Sequence, residues 1–210
     1  MADDDDDREL LARWRDGDNR AGSRLFDRHF RPLLRFFRNK IENGAEDLIQ
    51  ETLMACVRGR DRLRDDSSFR AYLFSTAKFV LYEHIRQQQR GRAVDVEEEA
   101  LADLAPGLST AFAKHHEQKI LLTALRMLPL EFQVTLELYY WEGLSGVELA
   151  NALGVPEATV RSRIRRGSDR LRGYVEKLAS SPELVVSTMD GLGGWLGKLG
   201  VDKPEPPAAG

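Results

Sequence analysis

The sequence predicts an all-α chain built as two small helical domains joined by a flexible acidic linker. Three observations carry that prediction. Nearly every patterned stretch repeats its apolar residues at the helical period, and no alternating run is flanked by hairpin turns. Between the patterned regions lies a charged stretch with Gly107, Pro106 and few large apolar side chains, the composition of a linker. The chain has 210 residues, room for two small cores or for one of ordinary size.

In order along the chain, MADDDDDR reads as a disordered, solvated acidic tail over residues 1–8. Leu10 to Trp14, then Leu25 to Ile41, make two helices with broad apolar faces. The second places Leu25, Phe26, Phe30, Leu33, Leu34, Phe36, Phe37 and Ile41 at helical spacing, with Pro32 expected to kink or divide it because proline lacks the amide hydrogen and crowds the preceding turn. Residues 45–59, AEDLIQETLMACVRG, form a third helix with Leu48, Ile49, Leu53, Cys56 and Val57 inward and Asp47, Gln50, Glu51 and Met54 opposite. After the polar turn RDRLRDDSS, a long helix from Phe69 to about Gln89 buries some combination of Phe69, Leu73, Ala77, Val80, Leu81 and Ile85, completing a domain over 9–89. Residues 90–117 are the linker.

The second domain covers 118–178. ILLTALRML is a short helix broken at Leu128-Pro129, and LEFQVTLELYYWEG is the next. Ser145 then caps a helix carrying Val147, Leu149, Ala150 and Leu153, Gly154 supplies the positive φ of a tight turn, and a further helix starts after Pro156. Val160, Ile164 and Leu171 mark its buried side. Arg161, Ser162, Arg165 and Arg166 fall on the remaining surface, where guanidinium groups reach guanine edges and phosphates. Small Ala150, the turn glycine and the basic second helix together read as a helix-turn-helix that docks on duplex DNA; the alternative is a solvated basic helix in an ordinary bundle. In the extension 179–210, Val185, Met189, Leu192, Leu196 and Leu199 keep a helical spacing beside Trp195, although each glycine within it costs about 1 kcal/mol. It either docks on the chain's own domains, docks on a regulator, or frays; PEPPAAG beyond it reads as disordered.

Composition narrows the function classes. With 31 basic and 34 acidic residues the net charge is only −3, but the charges are segregated, so the total hides two cationic surfaces around Arg20–Lys40 and the final basic helix. The single cysteine, Cys56, sits at an apolar helical position and has no partner for an intramolecular disulfide. The acidic N-terminus is unlike a secretory signal, and no apolar run is long enough to cross a bilayer, so a cytoplasmic protein without membrane insertion is expected. His29, His84, His115 and His116 show no metal-ligand spacing, and no phosphate-binding loop or nucleophile motif is present. Neither a cofactor nor an enzymatic activity is expected.

The chain resembles the extracytoplasmic-function (ECF, group IV) RNA polymerase sigma factors of the sigma-70 superfamily. The matches are LLARWRDGDNRAGSRLFDRHF, DLIQET at 47–52, FRAYLFSTAK at 69–78, ALRMLP at 124–129 and YYWEGLSGVELANALGVPEATVRSRIRRG at 139–167, in the family's order and separation. The resemblance implies a sigma-2-like bundle and a sigma-4-like helix-turn-helix domain, with core RNA polymerase and promoter DNA as partners and promoter-specific initiation as the function. It assigns polymerase binding to Asp47, Leu48, Gln50 and Glu51. It assigns the melted downstream strand to Arg64, Asp65, Asp66, Ser67, Lys78, Phe79, Tyr82, Glu83 and Arg86, and the upstream duplex to Thr159, Arg161, Ser162, Arg163, Arg165 and Arg166. The resemblance also implies an anti-sigma factor as a partner; the self-docking C-terminal extension, which lies beyond the matched stretches, is the alternative restraint. Departures from the pattern are Ala77-Lys78-Phe79 where Ala-Arg-Asn is common, Glu83 where aspartate or asparagine is frequent, Tyr72 for tryptophan and Gln133 for arginine. An autonomous helix-turn-helix regulator is the alternative function, and it leaves DLIQET and the aromatic strand-binding helix without a role.

Overall fold

The computed structural model describes residues 6–60, 63, 68–89, 95–100, 103 and 116–197, with side chains of the last helix only through Leu192. Among these residues there are nine helices and no strand. Helices α1 (Asp7–Arg15), α2 (Asn19–Arg38), α3 (Ala45–Gly59) and α4 (Phe69–Gln88) form the first domain. Helices α5 (His116–Arg126), α6 (Leu130–Tyr140), α7 (Gly146–Leu153), α8 (Glu157–Leu178) and α9 (Pro182–Gly197) form the second.

The first helix starts earlier than its apolar residues suggest, inside the acidic run. Asp7 is part of α1, and its carboxylate lies 2.7 Å from both Arg28 and His29 Nε2 of α2. Burial works to raise the Asp7 pKa, yet His29 and Arg28 together hold it below its ordinary value. The tail boundary at residue 8 is thereby corrected: the end of the aspartate run is an anchor for α1. Asp3, Asp4 and Asp5 lie outside the described residues. Asp18 accepts hydrogen bonds from the amides of Arg20 and Ala21, and this cap starts α2 at Asn19, well before Leu25. Pro32 neither divides α2 nor ends it. Its missing donor costs one rung, while buried Leu25, His29, Leu33, Phe36 and Phe37 pin the helix on both sides of it.

Aromatic rings fill the core of this domain. Trp14 meets Phe26 edge-on at 5.2 Å and Phe69 at 6.1 Å, and Phe36 meets Phe74 at 5.7 Å. Gly22 lets α2 pass beneath Trp14, because a Cβ there would stand 2.4 Å from the indole. In α3 the inward set is Ala45, Leu48, Ile49, Thr52 and Cys56. Thr52 is tolerated because its hydroxyl donates to the Leu48 carbonyl at 2.7 Å. Val57, expected inward, is 47% exposed, since the helical period carries it past the packed stripe. Burial pushes the Cys56 thiol up to about 12, so it is an inert core residue.

The second domain wraps around α6, in which Leu130 and residues 132–139 are all buried. Helix α9 docks on this domain, packing on α5, α8 and α6 with Leu184, Val185, Thr188, Met189 and Leu192 turned inward. Of the fates open to the C-terminal extension, this is self-docking. The side chains of Trp195, Leu196 and Leu199 lie outside the described residues.

The domains also pack on each other. Lys40, just beyond α2, is fully buried; its ammonium donates to the Phe36 carbonyl at 2.9 Å, lies 4.0 Å from the Phe36 ring centroid, and pairs with Glu137 of α6. Burial pushes the Lys40 pKa down, and the Glu137 charge opposes that shift. Gln133 donates to Glu137 at 2.9 Å, which gives this departure from the family pattern a definite task. Nearby, Arg35 pairs with Glu142 at 2.5 Å, and Ser68 at the start of α4 donates to Glu148 of α7 at 2.6 Å.

A buried charge left without its partner is expensive, so Glu137→Ala should cost about 3–5 kcal/mol in urea unfolding. The apolar double replacement Lys40→Met/Glu137→Leu should recover most of that loss. A single variant as stable as the parent would show that the pair is hydrated and unimportant.

Candidate nucleic-acid interface

The helix-turn-helix is built by local chemistry that the sequence makes explicit. Ser145 and Glu148 form a reciprocal capping box at the start of α7, with the Ser145 amide donating to Glu148 at 2.9 Å and the Glu148 amide to the Ser145 hydroxyl at 3.3 Å. Gly154 ends α7 at φ 71°, the left-handed conformation that reverses the chain. Pro156 precedes α8, whose buried stripe is Val160, Ile164, Gly167, Leu171 and Val175. Val147, expected among the packed residues of α7, is 60% exposed; Leu149, Ala152 and Leu153 do the packing.

On the outer face of α8, Arg161, Arg165 and Arg166 are exposed, and Arg161 is steadied by Glu157 at 2.6 Å. Thr159 and Ser162 are half-buried at the edge of this face. Arg163 does not join them. It lies 2.6 Å from Glu131 of α6 and 4.0 Å from Glu97, so two carboxylates hold it inside the protein where the sequence placed it toward phosphate. Arg170, which the sequence reading passed over, extends the basic face and covers the Phe132 ring at 4.8 Å; its spacing of four from Arg166 was the available signal.

The α4 residues separate into two sides. Phe79 is 64% exposed, and Glu83 and Arg86 follow on its stripe, paired with each other. Tyr82 is only 5% exposed, and burial pushes its phenol up, so as placed here it cannot offer a ring to an unpaired base. The reason is the helical period: residues 78 and 82 turn toward the second domain, where Lys78 meets Leu153 and Tyr82 lies near Glu97, Glu131 and Arg163, and residues 79, 83 and 86 turn away. Lys78 donates to the Leu153 carbonyl at the end of α7, at 2.7 Å. Burial lowers its pKa, the Glu97 charge works against that, and Arg163 adds to the lowering. Arg64, Asp65, Asp66 and Ser67 lie outside the described residues.

On α3, Asp47, Gln50 and Glu51 are exposed, in line with outward Met54 and Val57. Leu48 is 6% exposed and serves the core, so it is withdrawn from the polymerase-facing set; it lies on the inward stripe, four residues before Thr52. The described site residues therefore form three separate surfaces, on α3, α4 and α8, at two of which the domain contact and the linker hold a cation.

Comparison with known proteins places this geometry. Residues 25–91 match the sigma-70 region 2 model and residues 118–171 the sigma-70 region 4 model. The RNA polymerase sigma factor CarQ of Myxococcus xanthus is 30% identical over 172 residues, covering 80% of this chain and 97% of that protein. The ECF RNA polymerase sigma factor SigM of Mycobacterium tuberculosis is 30% identical over 168 residues, covering 79% of this chain and 82% of SigM. This chain belongs to the ECF RNA polymerase sigma factors. Two solved structures share the fold of this sigma factor. CnrH, in complex with the cytosolic domain of CnrY, aligns with a TM-score of 0.61 at 23% identity over 83% of this chain and 100% of CnrH. The sigma factor RpoE, in complex with the anti-sigma factor NepR from Bartonella quintana, aligns with a TM-score of 0.53 at 22% identity over 72% of this chain and 96% of RpoE. Helix α9 of this sigma factor falls outside both matched regions.

Nothing lies within 4 Å of a Cβ added at Gly154, so its substitution isolates the backbone requirement of the turn. Gly154→Ala should destabilise the second domain by about 1–2 kcal/mol in thermal or urea unfolding, the cost of a left-handed residue with a side chain. An unchanged midpoint would mean that the turn adopts another conformation.

Proposed function

We propose that this sigma factor divides its work among the three surfaces. The α3 face of Asp47, Gln50 and Glu51 engages core RNA polymerase, offering carboxylates and an amide to a basic partner surface beside apolar Met54 and Val57. The outward side of α4, with Phe79, Glu83 and Arg86, takes the melted downstream strand, which asks for an aromatic platform and cations. The upstream duplex element meets Arg161, Arg165 and Arg166 of α8, with Thr159 and Ser162 at the edge. The observation that carries this reading is the outward row of arginines on a helix seated by a capped helix-turn-helix, in a chain whose first domain has no other evident use for an exposed Phe79.

In domain terms, 9–89 together with Asp7 and Arg8 forms the polymerase and strand module, and 118–178 with the first turn of α5 forms the duplex module. The protein acts by binding, without chemistry of its own, in the cytoplasm where polymerase and chromosome are found. No helix among the described residues is long and apolar enough to cross a membrane. An anti-sigma factor, of the kind that accompanies RpoE, is a further partner to expect.

Transcription in vitro with core polymerase on a randomised promoter library tests the assignment. Arg165→Ala/Arg166→Ala should lower specific initiation on the order of tenfold or more, as expected for losing base-edge contacts, and leave core binding intact. Asp47→Lys/Glu51→Lys should instead weaken core binding in a pull-down. Unchanged initiation from the arginine variant would remove α8 from the promoter, and failure of the wild-type chain to initiate on any member would remove the promoter role altogether.

A further inference from the structure

We propose that the outer face of α2 is a further DNA-contact surface, a stripe on which Arg20, Arg24 and Arg31 take backbone phosphates of promoter DNA. The stripe adds to the three surfaces above and rests on the reading of the chain as a promoter-binding protein, not on which side of α4 meets the strand. The fold sorts the first cationic run of the sequence. Arg28 is held by Asp7, Arg35 by Glu142 and Arg38 by Glu46, and Lys40 is buried with Glu137. Arg20, Arg24 and Arg31 remain at the surface. At 3.6 residues per turn they fall within about 40° of one another, in a single file about 16 Å long. That is the axial length of about five nucleotides of one duplex strand, at ~3.4 Å each.

Helix stability does not account for this file. Arg20 stands in the first turn of α2, where the helix dipole is positive and disfavours a cation, and that turn holds no acidic residue. The capping carboxylate of Asp18 is already shared between the Arg20 and Ala21 amides and the Arg13 guanidinium, 2.8 Å away. Asp27 is the only acidic residue of α2 and is exposed within the file. Three arginines against one aspartate leave the face at a net charge of +2, in a chain whose total is −3. Phe30, 42% exposed, stands at the edge of the file beside Arg31 and offers a ring on which a base can stack.

A phosphate backbone is the ligand that this arrangement suits. Each guanidinium presents a planar fork of donors that matches phosphate oxygens. Cations in single file match a line of repeated negative charge, whereas a compact anion would need them to converge on one point. Placement agrees with this. Phe26 and His29, on the inner side of α2, pack on Phe69 at the start of α4 with ring centroids 6.0 and 5.5 Å apart. The file and the proposed strand-binding helix therefore belong to one packed body. Contacts of this kind carry no base information; they fix register and add affinity that salt weakens.

The test measures binding of the full-length protein to fluorescein-labelled mixed-sequence DNA by anisotropy over a salt series, with duplex in one arm and single strand in the other. Arg20→Gln/Arg24→Gln/Arg31→Gln, which keeps good helix formers in α2, should weaken binding on the order of tenfold at low salt. Its plot of log affinity against log salt should be shallower by ~2.7 on duplex or ~2.1 on single strand, the slope of three lost phosphate contacts. Arg20→Lys/Arg24→Lys/Arg31→Lys should keep most of the affinity and the parental slope. Arg8→Gln/Arg38→Gln/Arg58→Gln removes the same charge from exposed positions elsewhere in the first domain and should lose no more than about twofold, because distant charges are screened. Loss in one arm alone supports the proposal and names the form of DNA. Loss in neither arm, or an equal loss in the variant away from the stripe, overturns it; unchanged DNA affinity with lost core-polymerase binding would turn the face toward protein. With core polymerase on the randomised promoter library, the glutamine variant should lower initiation evenly across members, whereas Arg165→Ala/Arg166→Ala acts on specific ones. If the wild-type chain initiates on no member while the stripe losses persist, the promoter reading fails and the DNA contact stands; the reverse result sinks the stripe alone.

Discussion

The arrangement of this molecule depends on one desolvated charge. Lys40 lies two residues beyond the end of α2, and the fold surrounds it completely, so its ammonium must find acceptors inside the protein. It finds one in the last turn of α2, the Phe36 carbonyl, and one in the other domain, Glu137. That second choice means the first domain does not complete its own polar accounting. Glu137 in turn sits on α6, the most buried helix of the second domain, and is oriented by Gln133, so the orientation of one domain relative to the other is written into the core of both.

Around that pair, polar contacts between the domains use groups that already have local duties. Glu148 closes the α7 capping box and at the same time accepts from Ser68, which itself caps α4 by accepting from the Ala71 amide. The start of α4 and the start of α7 are thus tied by one carboxylate. Burial tends to raise the Glu148 pKa, and its hydrogen bonds from Ser68 and Ser145 hold it below the ordinary value, so it remains an acceptor at neutral pH. The helix that seats α8 and the helix proposed to hold the melted strand share a joint.

Much of the fold was legible in the sequence because local chemistry decides it. Ser145 with Glu148, Gly154 at positive φ and Pro156 before α8 are signals with one structural meaning each, and α7 and α8 begin and end where they indicate. Other boundaries were set by caps of low visibility: Asp18 starts α2 well before its apolar pattern, and Asp7 looked like the end of a solvated run until its partners Arg28 and His29 were known. The candidate sites were legible by type and less so by side. Arg163, Tyr82 and Leu48 sit within a residue or two of exposed site positions, and nothing in the sequence states which acidic neighbour or which helix will cover them. Lys40 and Glu137 were invisible for the same reason, being 97 positions apart. Helical periodicity tells which residues share a face; it does not tell what lies against that face.

The pinning of residues 95–100 to α6 has a geometric consequence. A long linker would let the two modules wander widely, but here only residues 90–94 separate the end of the α4 segment from the strap fixed on α6. From Gln89 to Asp95 the chain reaches at most ~20 Å at ~3.3–3.6 Å per residue. While the strap stays in place it is a short leash, and the modules can part only that far without losing the Glu97 and Glu99 carbonyl bonds and the Glu97 approach to Arg163. Wider separation requires the strap to peel away. Step size between a partly parted and a fully extended molecule is then set by one arginine and two amide hydrogens.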